Sequence, residues 1–348
     1  MSAIFRPLPP STPPAVRSAE VPMYISVRLA KRAFLLAALC CAFSSTRAAD
    51  FPDRPIKIVV GFPAGQSSDA NARRIAMGMS TLLKQSVFVD NKPGAAGAIA
   101  HSALKNAPAD GYTLGIGSTG TVAINPFLYK TLPYDPLKDF EPVTLISASP
   151  LVLVVPAASP INNLKELLAY AKSRPGKVAW ASGGSGSTGH IAMEMLKKQA
   201  GIDVLHVPYK GSPPMITDLM GGVVEVAFDP IGSMLPFIQS GKVKALGIAT
   251  LTRYAPLPEM PTMAEQGLPG FEAMPWTVLL APRGTPAPVL KLLNDTVVQV
   301  LKQPGVVEDF ARTASMPLGG TAAHATQYLR AEHVRWGTAV KASGAQVD

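Results

Sequence analysis

Ile56-Lys57-Ile58-Val59-Val60-Gly61-Phe62-Pro63-Ala64-Gly65-Gln66-Ser67-Ser68-Asp69 joins a short β-branched run to a turn of Gly, Pro and Ser. The run reads as a buried strand bounded by Pro55 and Gly61. Downstream, Ile75, Met79, Leu82 and Leu83 recur at helical spacing and predict one buried helix face. Val87-Phe88-Val89 gives the next strand, stopped by Asn91-Lys92-Pro93-Gly94. Strand, helix and strand in this order form a βαβ unit, whose two strands run parallel.

The same grammar returns about 120 residues later. Lys177-Val178-Ala179-Trp180-Ala181 reads as a strand, Ser182-Gly183-Gly184-Ser185-Gly186-Ser187-Thr188-Gly189 as a turn, and His190 to Gln199 as a helix. Asp203 to Val207 is the following strand, and alternation continues through Val223–Phe228, Ser233–Gln239 and Val243–Ala249. The pattern predicts an α/β protein of two lobes, each a mostly parallel sheet flanked by helices. The C-terminal third reads as helical: Pro286 to Gln303 with one apolar stripe, Pro304 to Ala314, and Thr321 to Ala342. Chain crossings are expected near 148–152 and 270–276, so lobe 1 comprises residues 50–149 and 272–348 and lobe 2 residues 150–271.

The chain has 348 residues, 47% hydrophobic and 16% charged, enough for two cores. Residues 1–49 read as an N-terminal extension and a signal peptide. Arg28, Lys31 and Arg32 precede the apolar run Ala33 to Phe43, and Ser44 to Ala49 supply a small-residue cleavage site. That run is shorter than the roughly 20 residues of a membrane span, and Met23 is an alternative start to Met1. Without this segment 26 basic and 22 acidic residues remain, so the net charge drops from +9 to +4. No Lys/Arg run or aromatic-basic alternation argues for nucleic acid. Both cysteines, Cys40 and Cys41, lie in the signal, which leaves no disulfide, thiol nucleophile or thiolate metal site in an exported protein.

The two Gly/Ser turns carry the functional signal. A helix start offers unpaired N–H groups and a positive dipole end, which suits a carboxylate or phosphate. Ligands of open α/β sheets sit beyond the carboxyl ends of the strands, where both turns fall. Two such turns predict a cleft gripping an anion from both sides; the plain alternative is a pair of tight turns capped by Asp69 and Thr188. No Gly-Lys-Ser/Thr follows either turn, so neither is a Walker loop. Gly184-x-Gly186-x-x-Gly189 meets the bare dinucleotide spacing, but no ribose-binding acid follows at the right distance. Gly183-Gly184-Ser185-Gly186-Ser187 lacks the last glycine of a nucleophile elbow. A hydrolase using Ser185 and His190 therefore ranks below a binding protein, because no acid partner is evident. His101, His206, His324 and His333 show no metal spacing. Tyr209-Lys210-Gly211-Ser212 is a third strand-end loop, and Asp229 ends a strand where it could receive a ligand amine or form an Asx turn with Pro230.

Six stretches in order resemble one receptor family: Phe62-Pro63-Ala64-Gly65, Asn91 to Gly97, Asp110 to Leu114, Leu132 to Phe140, His206 to Gly211, and Leu280 to Pro286. The family is the substrate-binding receptors of tripartite tricarboxylate transporters, also called Bug receptors, and the resemblance runs from about Phe51 to the C-terminus. It implies a two-lobed Venus-flytrap fold in the periplasm, no catalysis and no cofactor. The implied ligand is a small carboxylate (a di- or tricarboxylate, an acidic amino acid or an aromatic acid). The implied partner is a membrane permease, with a membrane sensor kinase as the alternative, and the receptor acts as a monomer. In such receptors the first strand–helix loop holds the ligand carboxylate through backbone amides, small polar side chains and ordered water. Carried over, the ligand-binding residues are Phe62, Ala64, Gly65, Gln66, Ser67, Ser68 and Asp69, then Ser118, Thr119 and Thr121. The second lobe contributes Ser182, Gly184, Ser185, Ser187, Thr188 and His190, with Tyr209, Lys210, Gly211 and Asp229 beside them. Gln66 departs from the family, which commonly has a second glycine there, and is expected to narrow the pocket or add an amide. Met274, Pro275 and Trp276 are candidate cleft walls, Trp276 being equally suited to the core.

Overall fold

A computed structural model describes residues 51–345, so the signal and extension lie outside the described residues. The opening unit forms as the sequence predicts. Strand β1 (Ile56–Val60) leads into helix α1 (Ser67–Leu83) and returns as β2 (Val87–Asn91), parallel to β1. Helix α2 (Ala98–Lys105) and strand β3 (Thr113–Ser118) extend the unit, with β3 parallel to β1 on its other side. A π-helical turn at Thr119–Ile124 and the short α3 (Asn125–Leu128) follow, then the long strand β4 (Phe140–Ala148).

The second unit contains β5 (Leu151–Pro156), α4 (Leu164–Ser173), β6 (Ala179–Ser182), α5 (Thr188–Ala200) and β7 (Leu205–Pro208). It continues with α6 (Ser212–Met220), β8 (Val226–Pro230), α7 (Ile231–Gln239) and β9 (Val243–Ile248). The chain then returns through β10 (Trp276–Pro282), α8 (Ala287–Leu301), α9 (Pro304–Arg312), β11 (Met316–Gly319) and α10 (Ala322–Ser343).

Two sheets result, ordered β11-β4-β10-β3-β1-β2 and β7-β6-β8-β5-β9. They are mixed rather than mostly parallel. Parallel pairing is confined to β1 with its neighbours and β6 with its neighbours. Wherever the chain returns from the other sheet it comes back antiparallel, as β10 does between β3 and β4 and as β5 does between β8 and β9. The three helices read in the C-terminal third are present, and the strands β10 and β11 are added to them. Trp276–Pro282 is buried along its whole length, so it gives no inside–outside alternation to read.

The chain leaves the first sheet after Ala148 and enters the second at Leu151. The outgoing and returning segments run side by side: Ser149 N–H donates to Pro275 O at 2.9 Å and Leu151 N–H to Ala273 O at 2.9 Å. One apolar cluster runs beneath both sheets, joining Leu145, Val278 and Trp336 to Leu153, Trp180 and Phe228. Trp276 belongs to this core at 2% exposure. Its Nε1 donates to Glu332 Oε2 at 2.7 Å, and Trp336 Nε1 donates to the same oxygen at 3.0 Å. Among the described residues no helix is long and apolar enough to cross a membrane.

Candidate functional site

The carboxyl ends of β1 and β3 open on one edge of the first sheet, and those of β6, β7 and β8 on one edge of the second. Every loop singled out from the sequence lies at one of these ends.

In the first loop, Asp69 is an anchor. It is 2% exposed, and its carboxylate accepts from Gly65 N–H at 2.8 Å, Asn91 Nδ2 at 2.9 Å and Arg73 Nε at 3.0 Å. Asn91 Nδ2 also donates to Phe62 O at 3.0 Å, so the loop is tied at both ends. Burial alone pushes the Asp69 carboxyl up, but the donors Arg73, Gly65 and Asn91 outweigh it and hold the group below the usual aspartate range. Gln66 is the N-cap residue of α1, and no side chain caps the helix. The amides at Ser67 and Ser68 therefore remain for an incoming acceptor. Ala64, Gly65 and Ser67 are exposed; Phe62, Gln66 and Ser68 are half-buried.

At the end of β3 the hydroxyls hold the turn itself. Ser118 and Thr121 form a reciprocal cap: Ser118 N–H donates to Thr121 Oγ1 at 2.9 Å and Thr121 N–H to Ser118 Oγ at 3.3 Å. Trp276 N–H donates to Thr119 Oγ1 at 2.8 Å. Thr119 and Thr121 are buried and Ser118 is half-buried, so these residues shape the floor of the first lobe.

The second loop is organised by two histidines. Gly186 N–H donates to His190 Nδ1 at 3.0 Å, and Ser182 Oγ meets His206 Nε2 at 2.7 Å. The rings of His190 and His206 stack at 4.0 Å and 4°. Burial lowers both pKa values to about 4, helped by Lys197 for His190 and by His190 and Lys197 for His206. Both rings are therefore neutral at neutral pH. The helix cap is Ser187, whose Oγ accepts from His190 N–H at 3.2 Å, and not Thr188, the first helical residue. Ser185 is exposed, and the serine paired with a histidine is the buried Ser182. Gly184 lies behind it, its N–H donating to Ser182 Oγ at 3.3 Å.

Two further loops complete this side. Tyr209 hydroxyl donates to Asp218 Oδ2 at 2.7 Å, which points the phenol along α6; burial and that carboxylate push its pKa up to about 12. Lys210 is exposed, and Gly211 N–H donates to Gly183 O at 3.2 Å. Asp229 is 4% exposed, its Oδ2 has no hydrogen-bond partner among the described residues, and burial raises its pKa to about 7 against the pull of Ser212 and Ser233.

The two sides meet. A β-carbon built on Gly211 would stand 2.8 Å from Gln66 Nε2, and one on Gly186 would stand 2.1 Å from Leu128 Cδ2. Leu128, Asn91, His206 and Ser233 escaped the reading of candidate site residues, whereas Ser212 stood in the third strand-end loop. His206 left a usable signal: it stands three residues before the loop at Tyr209, in register with Trp180 and so near Ser182 on the adjacent strand.

Among the described residues no group of His, Cys, Asp and Glu could hold a metal ion. The arrangement offers amides, hydroxyls, neutral imidazoles and the buried carboxyls of Asp69 and Asp229 at facing strand-end loops, which suits reversible capture of a small polar solute.

The chain is similar to several known proteins. BugT of Bordetella pertussis is 37% identical over 298 residues, covering 85% of this chain and 91% of BugT. Rpa4515 of R. palustris, solved with adipate, has a TM-score of 0.81 at 37% identity, covering 86% of this chain and 100% of its own. MatC from Rhodopseudomonas palustris, solved with bound malate, has a TM-score of 0.77 at 33% identity, covering 83% and 100%. Residues 71–345 match the model of the tripartite tricarboxylate transporter family receptors, and the chain belongs to that family.

Proposed function

We propose that the protein is a periplasmic solute-binding receptor that closes its two lobes on a small carboxylate and delivers it to the membrane permease of a tripartite transporter. The observation that carries this reading is the uncapped start of α1 at Gln66, facing the Gly211 loop of the opposite lobe. An anion placed there meets helix amides from one lobe and glycine backbone from the other, with no lysine or arginine needed. The relatives solved with adipate and malate support a small dicarboxylate or a close analogue.

Lobe 1 takes residues 50–149 and 272–348, lobe 2 takes 150–271, and the paired segments around Ser149–Leu151 and Ala273–Pro275 act as the hinge. The receptor works as a monomer, without cofactor or catalysis. Ser182 and His206 contact each other but neither histidine ring has a carboxylate partner among the described residues, which favours a structural over a hydrolytic role for the pair.

The test is a thermal-shift screen of the refolded protein against carboxylic acids, refolding serving to strip carried-over ligand. A ligand at 100 times its Kd adds about 2.7 kcal/mol, a rise of a few degrees in Tm. A shift with one group of acids supports the reading, and a flat response across mono-, di- and tricarboxylates overturns it.

A further inference from the structure

The turn between β3 and α3 departs from ordinary helix. Thr119–Ile124 is π-helical, and Asn125 N–H donates back to Gly120 O, five residues away. Such turns are rare and concentrate at functional sites. In this register the next donor, to Thr121 O, would be the N–H of residue 126, which is a proline and has none. Two side chains from distant segments serve the turn instead. The buried Tyr134 donates its hydroxyl to Thr121 O at 2.6 Å, and His333 of α10 donates from Nδ1 to Val122 O at 3.0 Å. A carbonyl acceptor places the ring proton of His333 on Nδ1. The Phe127 ring lies 4.6 Å from that of His333 and fills the space beside Gly337, one turn further along α10.

The π-turn also reaches the opposite lobe. It packs against α5, the helix that follows the second Gly/Ser loop and carries His190. Val122, Ala123, Ile124 and Leu128 share one apolar cluster with Ile191, Ala192 and Met193 of α5. Leu128, just past the turn, fills the space beside Gly186. Helix α10 packs on α5 as well, so the element that supplies His333 touches the turn and the opposite lobe at once. A pair of buried hydrogen bonds that only stabilise lobe 1 could stand anywhere in it; both of these fall on the turn that meets α5.

We infer that Tyr134 and His333 are positioning residues for capture: they hold the π-turn as the seat on which α5 of the opposite lobe comes to rest when the lobes close. Neither residue belongs to a strand-end loop. The inference goes beyond the receptor reading and rests on it only for the consequence that a misplaced seat weakens ligand binding.

Hydrogen exchange of the unliganded protein, followed by mass spectrometry, tests this without a ligand. Tyr134→Phe loses one hydroxyl, His333→Leu loses the ring donor, and His333→Asn keeps a donor near the place of Nδ1. The first two are expected to speed exchange about tenfold in residues 119–128 and, across the gap, in residues 186–196, with β9 unchanged and His333→Asn close to wild type. Faster exchange in residues 119–128 alone would confine the pair to lobe 1 and overturn the inference, as would a uniform rise that includes β9, or no change. Titration with succinate, malate, adipate and citrate reads the consequence: each acid that binds the wild type should bind Tyr134→Phe and His333→Leu about tenfold more weakly. Undiminished affinity would overturn the inference and leave the receptor reading standing. Binding of none of these acids by the wild type would count against the receptor reading, and the exchange pattern would still decide the inference.

Discussion

Gln66 Nε2 lies 2.8 Å from the place a β-carbon would occupy on Gly211, so the first loop of one lobe rests on the third loop of the other. Gly211 also holds φ at +101°, which L-residues with side chains rarely adopt. Gly211→Ala is expected to cost about 1–2 kcal/mol through the backbone and to weaken ligand binding by pressing on Gln66. Combining it with Gln66→Gly should restore affinity but not melting temperature. Calorimetric titration and melting curves of both variants separate the two effects.

Leu128 and Gly186 make the second cross-cleft contact, closer still. Gly186→Ala should hold the lobes apart, because the added methyl would overlap Leu128 Cδ2. Solution scattering with saturating ligand should show a larger radius of gyration than for the wild type. Leu128→Ala in the same chain should reverse most of the increase.

Asp229 sets a pH dependence of its own. Its pKa is raised to about 7 by burial, so the folded state binds a proton that the unfolded state releases near pH 4. The stability tied to this group is present below the unfolded value and lost as pH rises toward about 7. Unliganded Asp229→Asn should therefore melt higher than wild type at pH 8, with the gap shrinking toward pH 5. A gap that does not change with pH would contradict the buried, unpaired assignment.

His190 and His206 act in the opposite direction. Both are lowered to about 4, so the stability they contribute is present above their ordinary value near 6.5 and lost as pH falls toward 4. Protonating both would place two like charges on rings 4.0 Å apart. Denaturant unfolding at pH 7 and pH 4.5 should show a steeper acid loss in wild type than in His206→Gln, which keeps a partner for Ser182 without the second charge.

Glu332 joins two tryptophans and an arginine. Its carboxylate accepts Trp276 Nε1 and Trp336 Nε1 and pairs with Arg335 Nε at 2.7 Å and Nη2 at 2.9 Å. Glu332→Ala would leave two buried indole N–H groups and part of a guanidinium without acceptors, a loss of about 3–5 kcal/mol. Circular dichroism melts should register it as the largest drop among these variants.

The amino-acid order alone determined the alternation of β-branched strands and apolar-striped helices, and hence two α/β lobes with Gly/Ser turns at the strand ends. These features depend on residues near one another in the chain, so periodicity and turn chemistry expose them. The six ordered stretches also pointed to the receptor family that residues 71–345 match. Tertiary structure decided what no local pattern encodes. It inserted the uniformly buried β10 antiparallel between β3 and β4. It engaged Asp69, Thr119 and Thr121 inside their own lobe. It brought Gln66 to Gly211 and Leu128 to Gly186 across long stretches of chain. It left Asp229 buried with one carboxylate oxygen unpartnered among the described residues, because hydrogen-bond partners and desolvation depend on distant segments arriving at the same place.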